Sequence, residues 1–222
     1  MKKTAVIFDL DGTLLDTLED LRDAVNHVLR ERGCPERTLE EIRHFVGNGA
    51  KKLIDQALPG NAGDPDRLET FRAFQQYYNS HCQIKTRAYD GIPQALEILA
   101  GEGYPMAIVS NKPDSAVKPL CDQYFPGMYA RGETPDCPRK PAPDMVLRAA
   151  EALGVQPEYC IYVGDSEVDV KTARNAGMRC ISVLWGFRDR EDLRASGADC
   201  FCASPAELPA IVKELENELH GK

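Results

Sequence analysis

Four short apolar runs, over residues 4–8, 106–109, 160–163 and 180–183, constrain the fold of this chain more than any other feature. Each is too short for a self-burying helix, and each carries β-branched residues, as at Val6 and Ile7 in the first. Such runs read as strands covered on both faces. Between them the period changes to that of helices. One helix follows Pro93 with Leu96, Ile98 and Leu99, and others are predicted over 113–123, from Pro143 to Leu153, over 168–176 and from Pro205. The alternation from Tyr89 onward predicts an α/β fold, a parallel sheet core flanked by helices. The Gly- and Pro-rich stretch 126–143 is expected to be irregular.

Residues 15–85 follow a different rule. Leu14, Leu18, Leu21, Val25, Val28 and Leu29 recur at helical spacing, with Asp16 or Thr17 available to cap the start. Thr38-Leu39-Glu40-Glu41 is a capping-box pattern that opens a second helix, which breaks at Gly47-Asn48-Gly49. Helices are expected over 50–58 and from Pro65 to Cys82, and no strand signal interrupts them. The predicted organisation is a core of residues 1–14 and 86–222 with an all-helical unit, 15–85, inserted after the first strand.

A net charge of −8, from 27 Lys plus Arg against 35 Asp plus Glu, argues against a general nucleic-acid or anionic-membrane binder. No apolar segment approaches the ~20 residues of a membrane span, and the first apolar run stops at Asp9, too early for a signal peptide. A cytoplasmic location is expected. The eight cysteines are scattered, with no Cys-x-x-Cys pair, and read as reduced, mostly buried thiols. Both a monomer and a homodimer are compatible with the sequence.

The chemistry gathers where the strands end. In open α/β sheets ligands bind beyond the carboxyl ends of the strands. Three polar clusters occupy that edge: Asp9 with Asp11, Ser110 with Asn111, and Asp165 with Asp169; Lys140 precedes the third. Asp9 and Asp11 project to one side of an extended segment, so their repulsion requires a cation, a shared proton or open water. Asp9, Asp11 and Asp165 supply hard oxygen ligands suited to Mg²⁺. A carboxylate oxygen of Asp9 can serve as nucleophile, and Asp11 is placed to move a proton. Ser110, Asn111 and Lys140 supply donors and positive charge for phosphoryl oxygens.

Asp9-Leu-Asp11-Gly-Thr-Leu, Ser110-Asn111, Lys140-Pro-x-Pro-Asp144 and Gly164-Asp165-Ser166-x-x-Asp169 resemble the four motifs of the haloacid dehalogenase superfamily of phosphohydrolases. The resemblance implies a Rossmann-like core, Asp9 as nucleophile, Asp11 as acid/base, and Ser110 and Lys140 as phosphate ligands. It also implies Mg²⁺ held by the Asp9 side chain, the Asp11 backbone carbonyl and Asp165, with Asp169 in support. The helical insert is similar to the cap of the subgroup that includes phosphoglycolate phosphatases. The loop Phe45-Val-Gly47-Asn48-Gly49-Ala-Lys-Lys and the segment Trp185-Gly-Phe187 resemble parts of those enzymes.

The reaction so implied is hydrolysis of a small phosphorylated metabolite, above all 2-phosphoglycolate, through an aspartyl-phosphate. A sugar-phosphate mutase, or a phosphatase for nucleotides, pyrophosphate or sugar phosphates, would carry the same motifs. A phospho-acceptor signalling module is disfavoured, because Asp11 is available to hydrolyse the intermediate and Lys140 precedes the last acidic cluster. Gly47, Asn48 and Gly49 offer a close backbone approach to substrate, or a plain turn between helices. Arg43, Lys51 and Lys52 offer charge for a substrate carboxylate, or a solvated face.

Overall fold

A computed structural model describes residues 3–60 and 66–221. Its centre is the first apolar run. Strand β1 (Ala5–Phe8) is wholly buried, and alternate side chains enter different clusters: Val6 and Phe8 on one face of the sheet, Ala5 and Ile7 on the other. A strand with water on neither face needs no polar alternation, so the run is apolar throughout. β1 pairs in parallel with β4 (Met106–Pro113) on one side and β6 (Cys160–Gly164) on the other. Beyond these lie β5 (Tyr129–Glu133), β7 (Arg179–Val183) and β8 (Phe201–Cys202), in the order β5-β4-β1-β6-β7-β8. Every pairing in this sheet is parallel.

Helices cover both faces, as the alternation predicts. α5 (Ile92–Gly101), α6 (Asp114–Tyr124) and α10 (Leu208–Leu219) bury Leu99, Leu120 and Val212 with Phe8. α7 (Asp144–Leu153) and α8 (Glu167–Ala176) bury Met145, Val146 and Ala173 with Ile7. At roughly 25 cal/mol per Å² of apolar surface, side chains of this size contribute about 2 kcal/mol each.

Between β1 and α5 stand α1 (Leu18–Glu31), α2 (Leu39–Phe45), α3 (Ala50–Ala57) and α4 (Asp66–His81). Thr38 and Glu41 form the expected capping box; at the start of α1 Thr17 makes no side-chain cap bond, and Asp16 Oδ1 accepts from the Leu18 N–H at 3.4 Å. Pro65, expected to open α4, lies outside the described residues. These helices share a core of their own, with Leu21, Val25, Leu53, Ile54 and Phe74, to which Ala116 and Phe187 are added from the sheet side.

The insert is not wholly helical. Leu15–Asp16 forms β2, antiparallel to β3 (Arg87–Ala88), so a two-stranded ribbon stands where the chain leaves the sheet region and where it returns. Asp20 fastens the return: its carboxylate accepts from the backbone N–H of Lys85 and Thr86 at 2.9–3.0 Å. Two residues are too few to show a strand period, so the helical run beginning at Leu14 hides them. The stretch 126–143 also contains a strand, β5, whose Arg-Gly-Glu lacks any apolar alternation; its pairing with β4 decides its conformation. α9 (Arg190–Ala195) and β8 were likewise unpredicted, being short elements at the sheet edge. All eight cysteines are free, five of them buried. No described helix is long and apolar enough to cross a membrane.

Candidate active site

The sheet order makes β4, β1 and β6 neighbours, so the three polar clusters meet at one place, the carboxyl ends of the central strands. β4 runs on past the apolar run to Pro113, so Ser110 and Asn111 belong to its irregular end. Gly12 turns the chain after Asp9-Leu-Asp11 with φ +83°, and a Cβ there would collide with the Asp165 carboxylate. Gly164 is equally confined, by the Asp169 side chain. Both glycines let carboxylates from β1 and β6 close on one another.

Asp9, Asp165 and Asp169 are buried, and an oxygen of each lies within 4.8 Å of the others. One ammonium answers them. Lys140 Nζ stands 2.8 Å from both Asp9 Oδ1 and Asp169 Oδ1, and donates to the Tyr162 hydroxyl at 2.9 Å. Burial works against its charge, yet the Asp169 and Asp9 carboxylates outweigh burial and hold its pKa above the ordinary lysine value. Burial likewise pushes the Asp9 carboxyl well above the usual range; Lys140 pulls it back, and Asp169 and Asp165 raise it again. Asp165 is pushed up to about 7, by burial first and the Asp169 charge second. Three carboxylates with one cation leave an excess of negative charge, and that donor set fits a hard divalent ion. The oxygens are not equally available. Asp169 Oδ1 accepts from Lys140 and Tyr162, and Oδ2 from Ser166, which suits support more than direct ligation. Asp165 accepts one bond on each oxygen, from Thr13 Oγ1 at 3.1 Å and from the Phe187 N–H at 2.8 Å.

Asp9 Oδ1 also accepts from the Leu10 N–H at 2.7 Å, so the bonds described for this carboxylate all fall on Oδ1, and none on Oδ2. Asp11 stands apart from the carboxylate cluster: its Oδ1 is 2.7 Å from Lys112 Nζ. Asn111 and Lys140 lock together, Asn111 Nδ2 donating to the Lys140 carbonyl at 3.0 Å and Lys140 N–H to Asn111 Oδ1 at 2.8 Å. Asn111 Nδ2 also reaches the Gly47 carbonyl at 3.3 Å, a tie between the sheet and the helical insert. The Ser110 hydroxyl accepts from the Lys112 N–H at 3.2 Å.

A cavity of about 50 Å³ opens onto Asp9, Asp11, Ser110, Asn111, Lys140 and Asp165. Gly47 and Gly49 line it from the insert; Asn48 does not, and its amide donates to Glu167 Oε1 at 3.4 Å. Lys51 and Lys52 are exposed, and Arg43 pairs with Glu40 and Asp189. None of the three lines the cavity.

Three residues at the site were not anticipated: Lys112, Tyr78 and Arg188. Lys112 had a usable signal, since it lies two residues beyond Ser110, hence on the same side of an extended strand. Arg188 had none. It donates to the carbonyls of Arg43 and Val46 at 2.9 and 2.7 Å, and its Nε to Glu167 at 3.0 Å, joining insert to sheet.

Comparison with known proteins gives the family. Residues 6–183 match the family model described as haloacid dehalogenase-like hydrolase. A phosphoglycolate phosphatase of Pseudomonas putida is 38% identical over 191 residues, covering 82% of this chain and 70% of that one. An N-acetylmuramic acid 6-phosphate phosphatase of Pseudomonas aeruginosa is 31% identical, with 94% of each chain covered. A crystal structure from Lactobacillus delbrueckii subsp. bulgaricus, assigned only provisionally as a phosphoglycolate phosphatase, superposes with a TM-score of 0.88. It is 36% identical, covering 96% of this chain and 99% of that one. The chain therefore belongs to the haloacid dehalogenase-like hydrolases and, among them, is similar to phosphatases.

Proposed function

We propose that the chain is a Mg²⁺-dependent phosphatase for a small phosphate monoester, 2-phosphoglycolate before others, acting through an aspartyl-phosphate. The observation that carries the reading is the division of labour between Asp9 and Asp11 on one cavity. Asp9 is held through Oδ1 by Lys140 and the Leu10 N–H, and Oδ2 carries none of the described bonds. Asp11 is held by a different lysine.

In the first step Asp9 Oδ2 attacks phosphorus, the P–O ester bond breaks, and Asp11 gives its proton to the departing alkoxide. In the second, Asp11 takes a proton from water as the water oxygen attacks phosphorus. The Asp9–phosphate bond breaks, and inorganic phosphate and the Asp9 carboxylate result. Ser110 and Lys140 face the equatorial phosphoryl oxygens, and the Asn111 side chain fixes the Lys140 backbone so that its ammonium stays in place. Asp9, Asp165 and the Asp11 carbonyl would hold the metal, with Asp169 in support; its contribution is positive charge at the phosphoryl oxygens. The helical insert 15–85 acts as a cap, closing apolar side chains over the cavity and excluding bulk water.

The similarity to the N-acetylmuramic acid 6-phosphate enzyme keeps sugar phosphates as a second reading. Phosphate release measured across phosphoglycolate, sugar phosphates, nucleotides and pyrophosphate decides between them, and preference for a phosphohexose would displace phosphoglycolate. Asp9→Asn removes the nucleophile at constant shape and is expected to abolish turnover, at least about 10⁴-fold, while the fold persists. A variant with normal turnover would refute the assignment.

A further inference from the structure

Lys112 is a buried lysine with an incomplete set of partners. Its Nζ donates to Asp11 Oδ1 at 2.7 Å and interacts with the Tyr78 phenol, and an ammonium has three donors, so these two neighbours do not use all of them. The other cationic side chains on the cavity are committed. Lys140 is bound by two carboxylates and a phenol, and Arg188 by Glu167 and backbone carbonyls of the insert. Tyr78, from α4, faces the same cavity. Lys112 Nζ lies over its ring, 4.8 Å from the centroid. Among the described residues the buried Tyr78 hydroxyl meets no partner with full hydrogen-bond geometry, and the Lys112 ammonium is the charge beside it; such groups in folded proteins are almost always bonded. Beside this pair the insert presents Leu21, Val46, Leu53 and Phe74, which offer nothing to a sugar's hydroxyls.

Lys112 also stands beside the residue that handles the leaving group. A carboxylate one or two carbons from the ester oxygen comes within reach of any cation touching Asp11.

We propose that the Lys112 ammonium and the Tyr78 hydroxyl form an anion subsite on the leaving-group side, selecting short phosphate monoesters whose alcohol carries a carboxylate. The assignment rests on the phosphatase reading above and names the residues that set its specificity. Arg43, Lys51 and Lys52 play no part in it.

The test compares 2-phosphoglycolate with ethyl phosphate, which lacks the carboxylate, and the inhibitor 3-phosphonopropionate with propylphosphonate, for the wild type, Lys112→Met, Lys112→Arg and Tyr78→Phe, all with Mg²⁺. The wild type is expected to favour the acid over the neutral member in both pairs. Lys112→Met lowers that preference about tenfold or more, mainly through KM and Ki, the loss of one charge-assisted bond. Lys112→Arg restores part of it. Tyr78→Phe removes one oxygen and lowers the preference severalfold. Equal losses on both members of each pair would overturn the proposal, because Lys112 would then serve only to hold Asp11. An unchanged preference in a folded Tyr78→Phe protein would remove the hydroxyl from the subsite. If the wild type turned over other esters instead, the substrate reading would fail, and the inhibitor pair would still decide the subsite.

Discussion

Replacing Lys140 by methionine probes the charge balance of the site at nearly constant side-chain length. The ammonium meets Asp9 and Asp169 at 2.8 Å each, in a fully buried setting. At an effective dielectric of about 20, each contact is worth about 6 kcal/mol of attraction before the cost of burying the charges. Desolvation cancels most of that gain, and removing one partner from a buried ion pair costs about 3–5 kcal/mol net. For a chain of this length the loss corresponds to a fall in Tm of about 6–20 °C. The measurement is thermal unfolding at pH 8 in excess chelator and again in saturating Mg²⁺, alongside phosphate release. Methionine leaves Asp9 and Asp169 without the ammonium that answers them, so the proposed metal would carry more of the charge balance. Mg²⁺ is therefore expected to raise Tm more in Lys140→Met than in the wild type, by the usual linkage of ligand binding to folding. Turnover is expected to fall by about 10²-fold or more even in saturating Mg²⁺, because in the proposed mechanism the ammonium also neutralises the phosphoryl oxygens. A Tm within about 2 °C of the wild type in chelator, or equal Mg²⁺ shifts in both proteins, would refute the reasoning.

Three further perturbations have defined outcomes. Gly12→Ala combines a left-handed φ with a clash against Asp165, and is expected to cost on the order of 2 kcal/mol and weaken Mg²⁺ binding, read by Mg²⁺ titration of Tm; unchanged metal affinity would contradict the close approach. Arg188→Ala cuts the bonds from the Phe187–Arg188 segment to the carbonyls of Arg43 and Val46, and KM is expected to rise severalfold with a smaller change in kcat, measured by steady-state kinetics. In the Thr38–Glu41 capping box, the Thr38 N–H and hydroxyl hold the Glu41 carboxyl below its ordinary value of 4.5. Its stabilisation is thus present above about pH 4.5 and lost as pH falls through the lowered value, and Glu41→Gln is expected to flatten that acid limb in denaturant unfolding across pH 2–6.

The central strands, the helices on both sheet faces and the polar residues at the strand ends were all legible in the order of residues. The reason is local: a doubly buried strand must be apolar throughout, a helix must repeat near 3.6, and Asp9-Leu-Asp11-Gly12 carries its chemistry within four residues. Elements of two residues, such as Leu15–Asp16 and Arg87–Ala88, have no period to read, and Tyr129–Glu133 is a strand only because β4 lies beside it. The same distinction runs through the site. That Asp9, Ser110, Lys140 and Asp165 act together was suggested by their types and order. What only the tertiary structure decided is how their partners are shared: Lys140 to Asp9 and Asp169, Lys112 to Asp11, and Arg188 to the insert. Lys112 and Asp11 are 101 residues apart, and Tyr78 comes from a helix with its own core. A charge finds its counter-charge through space, and the parallel crossovers that bring strand ends together leave no trace of that pairing along the chain.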